Sequence, residues 1–188
     1  TATRIADSLA EKIRANGGHL DTGFVGTPYL CRALSQHSHH GLACDLLFNL
    51  DFPSWLYEVQ MGATTIWERW NSVLPDGKVS STGMNSLNHY AYGSILEWIY
   101  RAIVGINPDE TEAGFARTVI APKPDYRFAS VKGQVRTPCG LCSSGWKLQD
   151  NRLDLEVTVP FGTRAHLVLP DAKAGEVTVA AVRPVQLQ

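Results

Sequence analysis

The sequence predicts an α+β protein in which several helices precede a run of antiparallel strands. Two observations carry this prediction. Before Gly105 apolar residues recur at helical spacing, and after Asn107 short segments alternate apolar with polar residues between turn signals. Helices followed by strands indicate two layers that are built separately. We therefore expect a helical part over residues 1–108 and a strand part over residues 109–188.

The opening helix has the clearest pattern in the helical part. Its apolar stripe consists of Ile5, Ala6, Leu9, Ala10 and Ile13. It stops at Asn16-Gly17-Gly18, which is typical of a helix C-terminus. The same periodicity predicts further helices over residues 28–35, 40–49, 64–73 and 85–104.

The strand part consists of short segments separated by turn residues. The predicted strands cover residues 117–121, 127–131, 134–137, 144–148, 153–159, 165–169 and 177–182. Asp150-Asn151 is a hairpin turn signal, and Pro160 to Thr163 indicates another tight connection. Because the segments follow each other so closely, we expect a run of antiparallel strands.

Composition excludes several classes of protein. The chain has 188 residues, 44% of them hydrophobic, and 17 basic against 18 acidic residues give a net charge of −1. This balance argues against disorder and gives no electrostatic basis for a nucleic acid or a membrane surface as partner. Neither an apolar run long enough for a membrane span nor a signal peptide is present. The use of cysteine suggests a reducing compartment and favours the cytoplasm. The chain begins at Thr1 without Met, which suggests a processed, truncated or partly disordered parent.

Two groups of residues look like metal or redox sites. Cys139-Gly-Leu-Cys142 is a CxxC, but a structural zinc site needs four ligands and a redox pair needs a helix N-terminus. Because the pair lies between predicted strands, we interpret it as a hairpin with two incidental thiols. The His and Cys residues between Cys31 and Cys44 fit no tetrahedral spacing. We expect no metal and no cofactor.

The chain contains five Trp, and three of them, Trp55, Trp67 and Trp70, are close in sequence. Aromatic rings can stack on the C–H face of a sugar while polar groups bind its hydroxyls. A well-packed core would explain them equally. For Trp98 and Trp146 the core interpretation is favoured, because each follows the apolar pattern of its helix or strand.

Glu68 is the candidate with the most chemistry around it. One interpretation is structural, because Thr65-Ile-Trp-Glu68 matches a capping box at the start of the predicted helix. The other is catalytic. Trp67 and Arg69 flank the carboxylate, and a second polar loop ends at His89. Such an arrangement suits sugar hydrolysis, in which a carboxylate activates water and polar groups hold hydroxyls.

Several long motifs resemble a known family. They are HLDTGFVGTPYL at 19–30, PSWLYE at 53–58, MGATTIWERW at 61–70, MNSLNHYAYG at 84–93, IAPKP at 120–124 and SSGWK at 143–147. With them the chain resembles the C-terminal part of bacterial α-L-rhamnosidases, glycoside hydrolase family 78. The resemblance implies that the helical part contains the last helices of an (α/α)6 barrel and that the strand part is the small antiparallel β-sandwich after it.

The resemblance also implies a reaction and roles for individual residues. The family hydrolyses terminal α-L-rhamnosides with inversion, so a rhamnose-containing glycoside is the expected partner. Glu68 corresponds to the general base that activates the attacking water, and His89 to a histidine that contacts the rhamnose. We expect Trp67 to contact the sugar as well. The family's general acid lies in an earlier acidic motif, which neither Glu58 nor Glu97 matches.

We therefore expect this chain to be a fragment that is inactive alone. Its open barrel face would be covered by the missing N-terminal part of the same enzyme or by a homo-oligomer partner. Two alternatives remain open, namely another (α/α)6 glycosidase and a non-catalytic carbohydrate-binding or structural remnant.

Overall fold

The computed structural model describes residues 1–169 and 172–180, and its packing divides the chain into two compact units, Thr1–Trp98 and Ile99–Gln188. Helices make up the first unit and strands most of the second, so the predicted α+β class is confirmed. Within the described residues, no helix has both the length and the apolar character needed to cross a bilayer.

The first unit is built from five α-helices, some of them very short. They are α1 Ala2–Ala15, α2 Thr27–Gln36, α3 His40–Phe48, α4 Trp55–Gln60 and α5 Ile95–Trp98, the last preceded by a 3-10 turn at Ala91–Ser94. The predicted end of α1 is confirmed. The N–H of Gly18 donates to the carbonyl of Ile13 at 2.9 Å and the N–H of Gly17 to that of Arg14 at 3.1 Å. Both glycines have positive φ, as a Schellman motif requires of the first.

Helices α2 and α3 pack against each other around fully buried apolar side chains. These include Leu34 from α2 and Leu46 from α3. Trp98, assigned to the core from its sequence pattern, lies there: it is buried, and its indole N–H donates to the Ser35 hydroxyl at 2.8 Å. The polar edge of the ring is therefore satisfied inside the unit.

Two of the helix predictions fail in the segment between α4 and α5. Residues 64–73 form an irregular loop, and residues 85–90 are also non-helical, so the predicted helix over residues 85–104 starts only at Ala91. In both segments backbone N–H groups bond across to the other segment rather than along a helix. Trp67 and Trp70 are three residues apart, as on one face of a helix, but the loop buries both side chains without forming a helix.

Helix α4 lies where the sequence predicted none. Ser54 caps it, since its hydroxyl oxygen accepts the N–H of Tyr57 at 3.0 Å. The helix is only 6 residues long. Such a short helix gives too few turns for its apolar periodicity to be recognised.

The second unit opens with the π-helical turn Ile99–Val104 and continues as two three-stranded sheets. Its strands are β1 Ile106–Pro108, β2 Arg117–Ile120, β3 Ser130–Thr137, β4 Gly140–Gln149, β5 Arg152–Thr158 and β6 Arg164–Leu167. One sheet has the order β1-β2-β6 and the other the order β3-β4-β5. Residues of both sheets share one core, formed by Val104, Ile106, Ile120 and Cys142. This matches the predicted sandwich.

The pairing of the strands departs from the prediction in two places. β2 and β6 pair in parallel, with Thr118 opposite Ala165, because the turn at Pro160–Thr163 takes the chain from one sheet to the other. The predicted strands at 127–131 and 134–137 form the single strand β3, which starts only at Ser130. In contrast, the hairpin turn at Asp150-Asn151 is confirmed, and both residues have positive φ.

At the end of the chain the predicted strand over residues 177–182 is not found in its described part. Residues 177–180 have no regular secondary structure. Residues 181–182 lie outside the described residues.

Candidate functional site

Two loops between α4 and α5 bond to each other and bring the predicted site residues together. These paired loops are residues 65–70 and 83–89. The backbone N–H of Glu68 donates to the carbonyl of Ser86 at 2.9 Å, and the N–H of His89 donates to a carbonyl of the first loop at 2.8 Å. Glu68 and His89 are thus positioned by one short ladder of backbone hydrogen bonds.

The carboxylate of Glu68 is held at one of its two oxygens. Oε2 accepts the backbone N–H of Ser86 at 2.7 Å, and the residue is 9% exposed. A hydrogen bond this short holds Oε2 in place. Among the described residues no group donates to Oε1, so that oxygen can accept a water molecule. The capping-box interpretation is wrong, because no helix begins at Thr65.

Arg69 fixes the far end of the second loop. Its Nε donates to the carbonyl of Met84 at 3.0 Å, and its Nη2 donates to that of Gly83 at 3.1 Å. The backbone N–H of Arg69 donates to the Ser72 hydroxyl at 3.1 Å, which fixes the first loop as well. The guanidinium therefore holds the segment that carries the N–H bonded to Glu68.

His89 lies in a stack of three rings. Its imidazole is 5.0 Å from the ring of Phe24 and 5.3 Å from that of Tyr90, and both pairs are nearly parallel. Nδ1 accepts the backbone N–H of Ala91 at 3.3 Å. A neutral imidazole with Nδ1 as acceptor carries its proton on Nε2, which can then donate to a hydroxyl.

Trp67 and Trp70 lie in the packed interior beneath the paired loops. Trp70 stacks on Tyr92 with ring centroids 3.8 Å apart, and Trp55 meets Trp70 edge-on. Trp67 is only 4% exposed. Any contact of this side chain with a sugar would therefore use a small part of the ring.

An open pocket of about 660 Å³ lies in the same unit. Arg69, Trp70 and Tyr92 line it and connect it to the paired loops, and Asp21 and Asn71 add polar groups. Trp70 and Tyr92 stack on each other, so they present ring edges to the pocket together with a few polar groups. Trp67, Glu68 and His89 do not line it.

Glu58 was not singled out as a site residue from the sequence, but the structure places it against the first loop. It is 2% exposed, and its Oε2 accepts the backbone N–H of Trp67 at 3.5 Å. Burial raises the pKa of its carboxyl to about 7, although the bond from Trp67 opposes this. Burial and then the charge of Glu58 raise the pKa of Tyr92. The signal in the sequence was an acidic residue within an aromatic segment, PSWLYE.

Within the described residues, no three His, Cys, Asp or Glu side chains are grouped so that they could hold a metal ion. Cys139 is exposed in the turn between β3 and β4, while Cys142 is buried in β4, and both thiols are free. His40 and Cys44 lie 3.5 Å apart, Nε2 to Sγ, within α3. None of these groups lies in the paired loops.

Comparison with known families gives matches to both units. Residues 1–103 match the model of the bacterial alpha-L-rhamnosidase 6 hairpin glycosidase domain, and residues 105–182 that of the bacterial alpha-L-rhamnosidase C-terminal domain.

Individual proteins give the same result. An alpha-L-rhamnosidase of Formosa agariphila is 45% identical over 162 residues, which cover 86% of this chain and 17% of the relative. The alpha-L-rhamnosidase of Streptomyces avermitilis, solved in complex with L-rhamnose, has a TM-score of 0.83 at 41% identity, over 88% of this chain and 16% of that one. The α-L-rhamnosidase of Aspergillus terreus has a TM-score of 0.85 at 37% identity, and the match covers 89% of this chain and 19% of that one. The chain thus spans about a sixth of the length of the curated relatives it matches.

Proposed function

This chain belongs to the bacterial α-L-rhamnosidase family, and we propose that it is the C-terminal part of an enzyme that hydrolyses terminal α-L-rhamnosides with inversion. The observation that carries the proposal is the pair of bonded loops. They present a carboxylate with one unbonded oxygen, Glu68, together with an imidazole donor, His89. We assign residues 1–108 to the six-hairpin catalytic domain and residues 109–188 to the C-terminal β-sandwich.

In the proposed reaction Glu68 acts as the general base. Its Oε1 accepts a proton from a water molecule, whose oxygen attacks the anomeric carbon as the glycosidic bond breaks. The N–H of Ser86 holds the other oxygen and so directs the carboxylate toward this water. An inverting enzyme holds its base and acid about 6.5–9.5 Å apart, which leaves room for the water between them.

The rhamnose is bound by His89 and by the residues around it. The Nε2–H of His89 donates to a sugar hydroxyl, while Phe24 and Tyr90 keep the ring in place by stacking. Trp67 contributes the small exposed part of its ring. L-rhamnose as the bound sugar is supported by the Streptomyces avermitilis relative, which was solved with it.

We assign the general acid to a part of the enzyme outside this chain. The leaving oxygen of the glycoside needs a positioned acid, and none of the motifs of this chain supplies one. The N-terminal part of the same polypeptide, or a second copy, would also cover the open face of the helices. The chain alone should therefore not hydrolyse rhamnosides efficiently.

The test uses the longer enzyme that contains this chain, with 4-nitrophenyl α-L-rhamnoside as substrate. We expect turnover, with β-L-rhamnose as the first product in a proton NMR time course. Glu68→Gln should lower kcat by about 10²- to 10⁴-fold without loss of folding, because the amide cannot accept a proton.

The matched control is Glu97→Gln, which removes an exposed carboxylate on α5 of the same unit. It should leave kcat within about twofold. Hydrolysis of other aryl glycosides in preference to the rhamnoside would refute the substrate assignment. A Glu68→Gln variant with wild-type kcat would refute the role of Glu68.

A further inference from the structure

The buried carboxyl of Glu58 lies in an environment that is unusual for an acid. It projects from α4, is 2% exposed, and has no ion pair within the described residues. Its Oε1 is buried and receives no hydrogen bond from the described part of the chain. Burying a carboxyl under these conditions costs stability, so the position calls for a reason other than packing.

Within the described part of the chain one hydrogen bond reaches this carboxyl, and it supplies that reason. Oε2 accepts the backbone N–H of Trp67, the residue that directly precedes Glu68. The peptide group on one side of Glu68 is thus bonded to α4, and Glu68 itself is bonded to the second loop through Ser86. The segment that carries Glu68 is held from two sides.

We propose that Glu58 is a positioning residue for Glu68: its carboxyl oxygen fixes the peptide of Trp67 and, through it, the direction in which the Glu68 carboxylate points. The proposal rests on the proposed role of Glu68 as the general base. Glu58 does not touch the substrate in this arrangement.

Three features of the surroundings make this anchor effective. Ser54 caps α4, so the helix that carries Glu58 has a fixed start. The Trp67 ring is buried, which ties the residue to the interior. No N–H of residues 64–69 makes a helical backbone hydrogen bond, so an external acceptor for the Trp67 N–H helps to determine the local backbone. Misplacing a reacting group by about 1 Å can cost about 10²-fold in rate.

The acceptor works through its position and not through its charge. A carboxyl with a pKa of about 7 is partly protonated at neutral pH, and its carbonyl oxygen accepts the N–H in either state. Gln keeps such an oxygen at the same distance from the backbone. Asp keeps the carboxyl but withdraws it by one methylene, and Met removes the acceptor at similar volume.

The experiment measures kcat and KM of Glu58→Gln, Glu58→Asp and Glu58→Met in the longer enzyme on 4-nitrophenyl α-L-rhamnoside. We expect Gln to keep kcat within about threefold, and Asp and Met to lower it by about 10- to 100-fold with KM within about twofold. Hydrogen exchange of the peptide covering residues 64–70 should speed up in Asp and Met but not in Gln.

The control is Asp125→Ala, which removes a buried carboxylate of the second unit that is bonded to Arg127. It should lower the melting temperature and leave kcat unchanged, which shows that lost stability alone does not reproduce the effect.

Several outcomes would overturn the proposal. One is a wild-type kcat in Glu58→Met, and another is a higher kcat in Glu58→Asp than in Glu58→Gln. A third is a loss of activity that is fully explained by a smaller fraction of folded protein. If Met fails to fold, the comparison of Asp with Gln decides. An inactive wild type or an active Glu68→Gln variant would instead refute the proposed function, and this inference with it.

Discussion

The two units treat buried carboxylates in opposite ways. In the first unit Glu58 and Glu68 are buried, and within the described residues each is bonded to a backbone N–H and to no cation. In the second unit Asp125 is buried against Arg127, whose Nε and Nη2 donate to its two oxygens at 2.7 and 2.8 Å. The guanidinium neutralises that charge and occupies both oxygens.

The difference in partners distinguishes a carboxylate that stabilises the fold from one that can take part in a reaction. In a carboxylate paired at both oxygens with Arg, the cation stabilises the charge and lowers its tendency to take up a proton. Glu68 is bonded at one oxygen and keeps the other available for proton transfer, whereas the second oxygen of Glu58 is buried. The folding cost of leaving it unpaired is the usual sign of a functional site.

The largest effect that distinguishes the units is on stability. Asp125→Ala should lower the free energy of unfolding of the second unit by about 3 kcal/mol, because it removes the carboxylate that accepts two hydrogen bonds from the guanidinium of Arg127. We expect a lower melting temperature in differential scanning calorimetry and an unchanged kcat. Glu68→Gln should show the opposite pattern, with kcat lost and the melting temperature unchanged or raised.

A drop in kcat for Asp125→Ala at a temperature where the protein is folded would break the comparison. It would mean that the second unit takes part in catalysis.

The parts of the structure that could be predicted from the sequence are those set by local patterns. The buried face of α1, with Ala6, Ala10 and Ile13, and the turn at Asp150-Asn151 follow from local patterns and were predicted. The loop of Trp67 was mistaken for a helix, because residues buried from an irregular segment can share helical spacing by chance.

The site depended on a different kind of information. Glu68 was identified through its neighbours and a family resemblance, while its actual partner, Ser86, lies in another loop. Glu58 was missed because its partner is a backbone N–H, which leaves no trace in the sequence. Regular elements are encoded locally, whereas contacts between loops are set by the tertiary structure.

A loss of activity of intermediate size is expected when His89 is replaced, and it tests whether the first unit binds the substrate. His89→Ala should lower kcat/KM on the rhamnoside by about 10- to 100-fold, because one hydrogen bond to a sugar hydroxyl is lost and the stack of Phe24 and Tyr90 loses its centre. Steady-state kinetics measure this directly.

His166→Ala is the matched control, since this histidine lies on β6 of the second unit. It should leave kcat/KM unchanged. Equal losses in the two variants would show that the stack does not bind substrate.

The smallest effect is the pH dependence of stability, and its sign should differ between the units. Burial raises the pKa of Glu58 from 4.5 to about 7, so between these values the folded chain binds more protons than the unfolded one. The stability associated with Glu58 is therefore complete below about pH 4.5 and is lost as the pH rises through about 7. In the second unit, hydrogen bonds from Thr111 lower the pKa of Asp109, so its contribution is present above the ordinary pKa of 3.8 and is lost as the pH falls.

Melting temperatures of wild type, Glu58→Gln and Asp109→Asn between pH 3.5 and 8 test this. The difference between wild type and Glu58→Gln should move in favour of the Gln variant as the pH rises from 5 to 8, because Gln carries no charge to bury. The difference between wild type and Asp109→Asn should move in favour of wild type as the pH rises from 3.5 to 5. If the first difference is flat, Glu58 is ionised in the folded protein at no cost. The predicted opposite signs for Glu58 and Asp109 would then be refuted.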